Sequence, residues 1–208
     1  MTSTVYIVTP SFNAVSTIDR TIQSVLSQAG DFRIRYHIQD GGSTDGTLER
    51  IESWKERLQS GAFIRQCQGI RFSHASEPDN GMYDALVRGF AAVDATTNAF
   101  MTWINADDIL MPGALALAAT MERQFTPAEM SWFGGAVCIL RDDMVTRSFD
   151  RPVARDALRA GVADGKYWDY LQQPGTFFRK WLWGAVNPAT SIARMKLAGD
   201  WNLWRLMA

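Results

Sequence analysis

The feature that most constrains this chain is a repeated unit: a β-branched apolar run, a polar turn carrying acid or amide side chains, then apolar residues at helical spacing. Val5-Tyr6-Ile7-Val8 begins the first unit and gives way to Thr9-Pro10-Ser11-Phe12-Asn13, where Pro and Asn favour a loop. Ile18, Ile22, Val25 and Leu26 then share one helical face, with Ser16 and Asp19 in the form of a capping box. Ile34, Tyr36 and Ile38 alternate up to Asp40, and Leu48, Ile51, Trp54 and Leu58 mark the helix after it. Ile70, Phe72 and His74 lead to Glu77-Pro78-Asp79-Asn80-Gly81, and residues 82–92 suit a third helix. Ala99 to Ile104 ends at Asn105-Ala106-Asp107-Asp108, with Pro112 placed for the first turn of a fourth helix.

This alternation predicts an α/β fold, a mostly parallel sheet flanked by helices on both faces, with ligands bound beyond the carboxyl ends of the strands. Each acidic motif falls at such an end. Residues 131–140 read as a later strand, and the pattern then loosens. Residues 192–207 predict a last helix through Leu197, Trp201 and Trp204, which carries Asp200. A chain of 208 residues suits one domain.

Composition narrows the class. With 47% apolar and 21% charged residues, the chain has the make-up of a folded soluble protein, which excludes disordered and fibrous classes. No run approaches the ~20 apolar residues of a membrane span, and the N-terminus enters a strand without a basic or signal-like segment. The cytoplasm is the expected location. Cys67 and Cys138 stand far apart without metal-ligand spacing, so two reduced, packed cysteines are expected. Residues 1–150 hold 12 Lys and Arg against 18 Asp and Glu, whereas residues 151–208 hold 9 against 4, so the second part suits an anionic partner.

Two motifs carry chemistry. Asp40-Gly41-Gly42-Ser43-Thr44-Asp45-Gly46-Thr47 would let backbone amides approach an anion closely, yet it continues Gly46-Thr47-Leu48 and lacks the Gly-Lys-Ser/Thr of a phosphate loop and the spaced glycines of a dinucleotide site. Asp45 reads first as the cap of the next helix. Asn105-Ala106-Asp107-Asp108 suits a hard cation such as Mg²⁺ or Mn²⁺ that shares substrate phosphates, and equally suits a cap for the helix near Pro112. His74 reads as a strand-face residue, and His37 has no catalytic context.

In order and spacing, the segments Val5 to Asn13, Asp40 to Thr47, Ser76 to Ala85 and Asn105 to Leu110 resemble the family 2 glycosyltransferases, especially those that build bacterial O-antigens, capsules and exopolysaccharides. The similarity continues through Gln173 to Lys180 and Ala198 to Trp204. It implies a GT-A fold in one domain, with residues 1–110 as the nucleotide-sugar part and 111–208 as the acceptor side. It also implies a nucleoside-diphosphate sugar donor, with uridine the commonest base, and inversion at the anomeric carbon. Thr9, Pro10, Ser11, Asn13 and Asp40 match the positions that hold the nucleoside. Asp79 borders the donor sugar, and Asn105 and Asp107 form the Asp-x-Asp position, Asp107 binding the divalent metal. Asp200 matches the general base.

The chemistry agrees with those assignments: a divalent ion offsets charge on the departing diphosphate, and a carboxylate takes the acceptor hydroxyl's proton. The sequence departs from the family at Asn105, where an acid is common, and at Gly199, where many members have Glu. A saccharide or lipid-linked acceptor is expected and a nucleic acid is not. Trp168, Trp181, Trp183, Trp201 and Trp204 lie in the basic last part, where they suit core packing first and a peripheral membrane contact second. Two other readings are a nucleotidyltransferase and a catalytically silent nucleotide-binding or scaffolding protein.

Overall fold

Residues 3–11 alternate between two buried faces, and that alternation organises the molecule. A computed structural model describes residues 2–141, 144–149, 152–165 and 170–208. The elements run β1 (Ser3–Ser11), α1 (Ile18–Leu26), β2 (Phe32–Asp40), α2 (Thr47–Gln59), β3 (Ile70–Ser76), α3 (Met82–Ala92), β4 (Phe100–Trp103) and α4 (Ala114–Gln124). After these come β5 (Trp132–Gly134), β6 (Val137–Arg141), β7 (Met144–Phe149), α5 (Arg155–Arg159), β8 (Thr176–Arg179), α6 (Lys180–Ala185), α7 (Pro188–Ser191) and α8 (Gly199–Met207).

The main sheet has six strands in the order β3-β2-β1-β4-β8-β5, and β6 pairs with β7 in a separate ribbon. β1 lies parallel to β2 from Ser3↔Phe32 to Ser11↔Asp40, and parallel to β4 from Tyr6↔Met101 to Val8↔Trp103. β8 enters antiparallel to both β4 and β5. On one face, Val5 and Ile7 pack with Ile18, Ile22, Ile51 and Leu115 from α1, α2 and α4. On the other, Tyr6 and Val8 pack with Leu86, Phe90, Leu203 and Trp204 from α3 and α8. Successive side chains of one strand thus feed two cores, as a period of two requires.

Close approach on the second face depends on Gly89, because a Cβ there would stand 2.6 Å from Val8 Cγ1. Trp204 is sandwiched between Trp103 and Trp132, with ring centroids 5.5 Å and 5.7 Å away. Trp183 is also buried, Trp201 is half-buried, Trp181 is the exposed one, and Trp168 lies outside the described residues. Among the described residues, no helix is long and apolar enough to cross a membrane.

The units expected from the repeated pattern are present, with five local differences. β1 continues through Thr9, Pro10 and Ser11, which were expected to loop. Pro10 fits because it lies past the last register pair with β4, where its missing N–H removes no bond on that side. The capping box at Ser16 is not formed: Thr17 is the N-cap, and Asp19 instead accepts from Trp54 Nε1 at 2.8 Å. Pro112 precedes the helix, because Gly113 in the left-handed region is the N-cap of α4. The single strand expected over 131–140 is two strands, since the chain leaves the main sheet at Gly134 and enters the ribbon at Val137. The last helix starts only at Gly199, with Ala198 at φ 57°, so Leu197 precedes it and is 82% exposed.

β8 is fastened by Arg179, whose side chain is 1% exposed. Its guanidinium donates to the carbonyls of Met130 (2.8 Å), Asn98 (2.6 Å) and Phe125 (2.8 Å) and lies 4.3 Å from the Phe100 ring centroid. Arg179→Met keeps the apolar stem and strands three carbonyls. We expect a loss of about 3 kcal/mol, read in thermal unfolding as a Tm lower by roughly 6–12 °C.

Candidate active site

The carboxyl ends of the parallel strands open onto a cleft of about 640 Å³. Its wall is built from Pro10 and Ser11 at the end of β1, Phe12 and Asn13 just beyond, Gly41 past β2, Asp79 to Gly81 past β3, and Asn105 to Asp107 past β4. Met82 and Ala85 from the first turn of α3 close one side, and Lys196 reaches in from the segment before α8. Six predicted residues therefore meet here: Pro10, Ser11, Asn13, Asp79, Asn105 and Asp107.

Thr9, Asp40 and Asp200 stand apart from that wall. Thr9 is fully buried, and its hydroxyl meets the Tyr36 hydroxyl at 2.9 Å. Burial drives the Tyr36 phenol well above its ordinary pKa, more than the Thr9 bond lowers it, so Tyr36 is neutral.

Asp40 is 0% exposed and works behind the wall. Its Oδ2 accepts from Gly42 N (3.1 Å), Ser43 N (2.9 Å) and Ser76 Oγ (2.7 Å), and its Oδ1 accepts from Ser43 Oγ (2.5 Å). The turn after β2 and the end of β3 are thereby tied to one carboxylate. The adjoining loop is tied in turn to the loop after β1: Asn13 N donates to Ser43 Oγ at 2.8 Å, and Asn13 Oδ1 accepts from Thr44 N at 3.0 Å. Asn13 holds a left-handed conformation, φ 48°, which suits an Asn. Asp45 accepts from Thr47 Oγ1 and N and from Val15 N, and the Thr47 hydroxyl bond in particular holds its carboxyl below the usual range. It stitches these loops together, whereas the N-cap position of α2 belongs to Gly46.

At the end of β3, Asp79 accepts from Gly81 N at 2.7 Å while lying over Gly41. Asp84 accepts from Asn80 N and Nδ2 and pairs with Arg88 at 2.8 Å, so it shapes this loop from outside the cleft wall.

The two adjacent acids after β4 differ in setting. Asp107 is exposed in the cleft. Asp108 is pushed up from the ordinary carboxylate value, chiefly by burial and then by its neighbour Asp107, with a bond from Asn105 Nδ2 at 3.1 Å partly opposing. Asn105 turns its amide nitrogen to Asp108 and leaves its Oδ1 buried without a hydrogen-bond partner. Asp107 thus fits a divalent cation that takes its other ligands from diphosphate oxygens and water. Asn105 as oriented adds no oxygen toward the cleft. Among the described residues, no three His, Cys, Asp or Glu side chains cluster as a metal cage.

Asp200 lies in the first turn of α8. Both its carboxylate oxygens accept from phenols: Oδ1 from Tyr83 at 3.3 Å and Oδ2 from Tyr170. Tyr83 directly follows Met82 of the cleft wall, which links Asp200 to the cleft through α3. His37 is buried against Ser73 Oγ at 2.9 Å, and His74 lies on β3, neither among the lining residues.

The sequence reading missed Phe12, Lys196, Tyr83 and Tyr170 as site residues. Phe12 is 65% exposed at the cleft, and an aromatic in a predicted loop gives a faint signal of that kind. Lys196 and Tyr170 have no sequence signal, because only the folded chain brings them near.

An open, mostly parallel sheet with one antiparallel strand inserted beside its far edge, whose strand-end loops wall a cleft carrying Asp79 and Asp107, defines a protein of the GT-A class. The glycosyl transferase family 2 model matches residues 6–125, more than half of the chain, and the chain belongs to that family. An uncharacterized glycosyltransferase of Mycobacterium tuberculosis is 34% identical over 88 residues, covering 42% of this chain and 29% of that protein. The chain thus matches less than a third of the length of that relative. Staphylococcus aureus TarS in complex with UDP-GlcNAc superposes with a TM-score of 0.60 at 16% identity, over 96% of this chain and 52% of that one. The mannosyltransferase PcManGT of Pyrobaculum calidifontis, in complex with GDP-Man and Mn²⁺, gives 0.54 at 18% identity, over 91% and 49%. At these identities the structures share a fold.

Asp40→Asn tests the buried tie. It replaces one acceptor oxygen by a donor facing donors, so a loss of about 3 kcal/mol is expected. Chemical denaturation should show a lower midpoint in that variant.

Proposed function

We propose that this chain transfers a sugar from a nucleoside-diphosphate sugar, with uridine as the base, to an acceptor hydroxyl with inversion. The observation that carries the reading is the cleft itself, where Asp107 stands exposed among strand-end loops in a fold of the GT-A class. Support for the donor class comes from the family membership and from neighbours whose complexes hold UDP-GlcNAc and GDP-Man. A role in bacterial polysaccharide or lipopolysaccharide assembly, on a saccharide or lipid-linked acceptor at the membrane periphery, follows from the sequence resemblance.

In this reading Pro10, Ser11, Asn13 and Asp79 border the nucleotide and donor sugar, and Phe12 offers an exposed aromatic face to the flat base. Thr9 and Asp40 act from behind, fixing the loops that make the contacts. Asp107 would hold Mg²⁺ or Mn²⁺, and that ion when bound offsets charge on the diphosphate. Asp200 takes the proton from the acceptor hydroxyl as its oxygen attacks the anomeric carbon and the diphosphate departs from the other side. Residues 1–110 then serve chiefly the donor and 111–208 the acceptor, Lys196 being the lining residue contributed by the second part.

A catalytically silent nucleotide-binding protein is the second reading, and Asn105 favours it, since a neutral amide stands at the cleft with its oxygen buried rather than exposed there. Calorimetry and transfer assays separate the two. With a UDP-sugar, we expect Mn²⁺ to tighten binding in the wild type and Asp107→Asn to weaken Mn²⁺-dependent binding by about 10-fold or more. Asp200→Asn should keep donor binding and lose transfer by on the order of 10²–10⁴-fold. Preference for triphosphates over diphosphates would point to nucleotidyl transfer instead. Binding with no transfer in the wild type, across a screen of nucleotide sugars and acceptors, would favour the silent protein.

A further inference from the structure

Asp200 is gripped from two elements that are far apart in sequence. Tyr83, in the first turn of α3, is 4% exposed and places its hydroxyl 3.3 Å from Oδ1, and it also lies 3.4 Å from the Asp200 amide nitrogen. Tyr170, half-buried and outside any helix or strand, donates to Oδ2. Space for the first contact exists because residue 199 lacks a side chain: a Cβ there would stand 2.6 Å from Tyr83 Cε1 and Cζ. Contact of that kind with ring carbons forces the ring to move.

We infer that Tyr83 and Tyr170 are positioning residues that clamp the Asp200 carboxylate from two sides, and that Gly199 is the position that admits the Tyr83 ring. The inference rests on the reading of Asp200 as the base for its catalytic meaning, while the clamp itself stands on geometry. A carboxylate in the first turn of a helix is otherwise free to rotate about two torsions, and an attacking hydroxyl needs it in one orientation. Two phenols bonded to different oxygens fix both torsions and leave a lone pair on each oxygen for the incoming proton.

Both phenols are suited to donate throughout the working pH range. Burial raises Tyr83 and Tyr170 above the ordinary phenol value, and the Asp200 carboxylate raises both further. Several charged groups on neighbouring elements are engaged elsewhere. On α3, Asp84 pairs with Arg88; on α5, Arg155 and Arg159 donate to the Ala208 carbonyl at the far end of α8. Lys196 donates to the Asn80 carbonyl, and Arg205 of α8 itself donates to Asn202.

The test has a stability arm and a kinetic arm. In a double-mutant cycle, Tyr170→Phe should lower Tm by about 3 °C more in the wild-type background than in Asp200→Ala. Equal losses in the two backgrounds would overturn the clamp, whatever the protein catalyses. In transfer assays Tyr170→Phe should lower kcat by on the order of 10-fold with donor KM within about twofold. A fall in kcat accompanied by a matching rise in donor KM would mean general disruption and overturn the positioning role. Gly199→Ala should copy Tyr83→Phe in kcat, and wild-type behaviour would remove Gly199 from the account. Should Asp200→Asn keep full transfer while the cycle shows coupling, the base assignment fails and the clamp survives.

Discussion

The site depends on one buried carboxylate. Asp40 has no solvent contact, so its charge is tolerable only if fixed donors replace water, and two backbone amides with two serine hydroxyls do so. Gly42 and Ser43 belong to the turn after β2 and Ser76 to the end of β3, so their paths are set by where Asp40 ends its strand. Ser43 passes the constraint to Asn13, whose amide it accepts, and hence to the loop after β1. A group that never reaches the cleft therefore positions much of what does.

The sheet supplies the remaining geometry. Parallel pairing in register brings the carboxyl ends of β1, β2 and β3 level, from Ser11↔Asp40 to Asp40↔Ser76, and every loop leaving those ends opens on the same side. Asp107 and Asp108 show how finely this matters. One peptide bond separates them, yet the first faces the cleft and the second sits against Asn105 with burial pressing it toward neutrality. The two adjacent acids thus present one carboxylate to the cleft and hold the other aside.

The strands, their parallel order and the helices between them were legible because each is written in local periodicity, as in Ile34-Tyr36-Ile38 or Ile18-Ile22-Val25. Failures arose where local chemistry had a distant competitor. Asp19 has the spacing of a cap partner, but the indole of Trp54 claims its oxygen. Residues 131–140 look like one strand because nothing in the sequence marks where a strand changes sheets. In the site, Asp79, Asn105 and Asp107 stand at strand ends and could be placed by motif. Asp40 reads the same way by motif, and only its four donors show that it faces inward. The partners of Asp200 were illegible, since Tyr83 and Tyr170 lie 117 and 30 residues from it.

Where the chain leaves the main sheet and where it returns are the same place. Gly134 pairs with Thr176, and Gly135 N donates to the Gly175 carbonyl at 3.0 Å, so the intervening stretch is an excursion whose two ends are pinned together. Pinned ends leave the register of the strands beneath independent of the length of the stretch between them, although Leu158 and Ala163 from that stretch still pack into the core. Because it contributes Tyr170, changes there would retune the surroundings of Asp200 while the strand ends that wall the cleft kept their register. The molecule is in that sense modular at a single staple between two glycines.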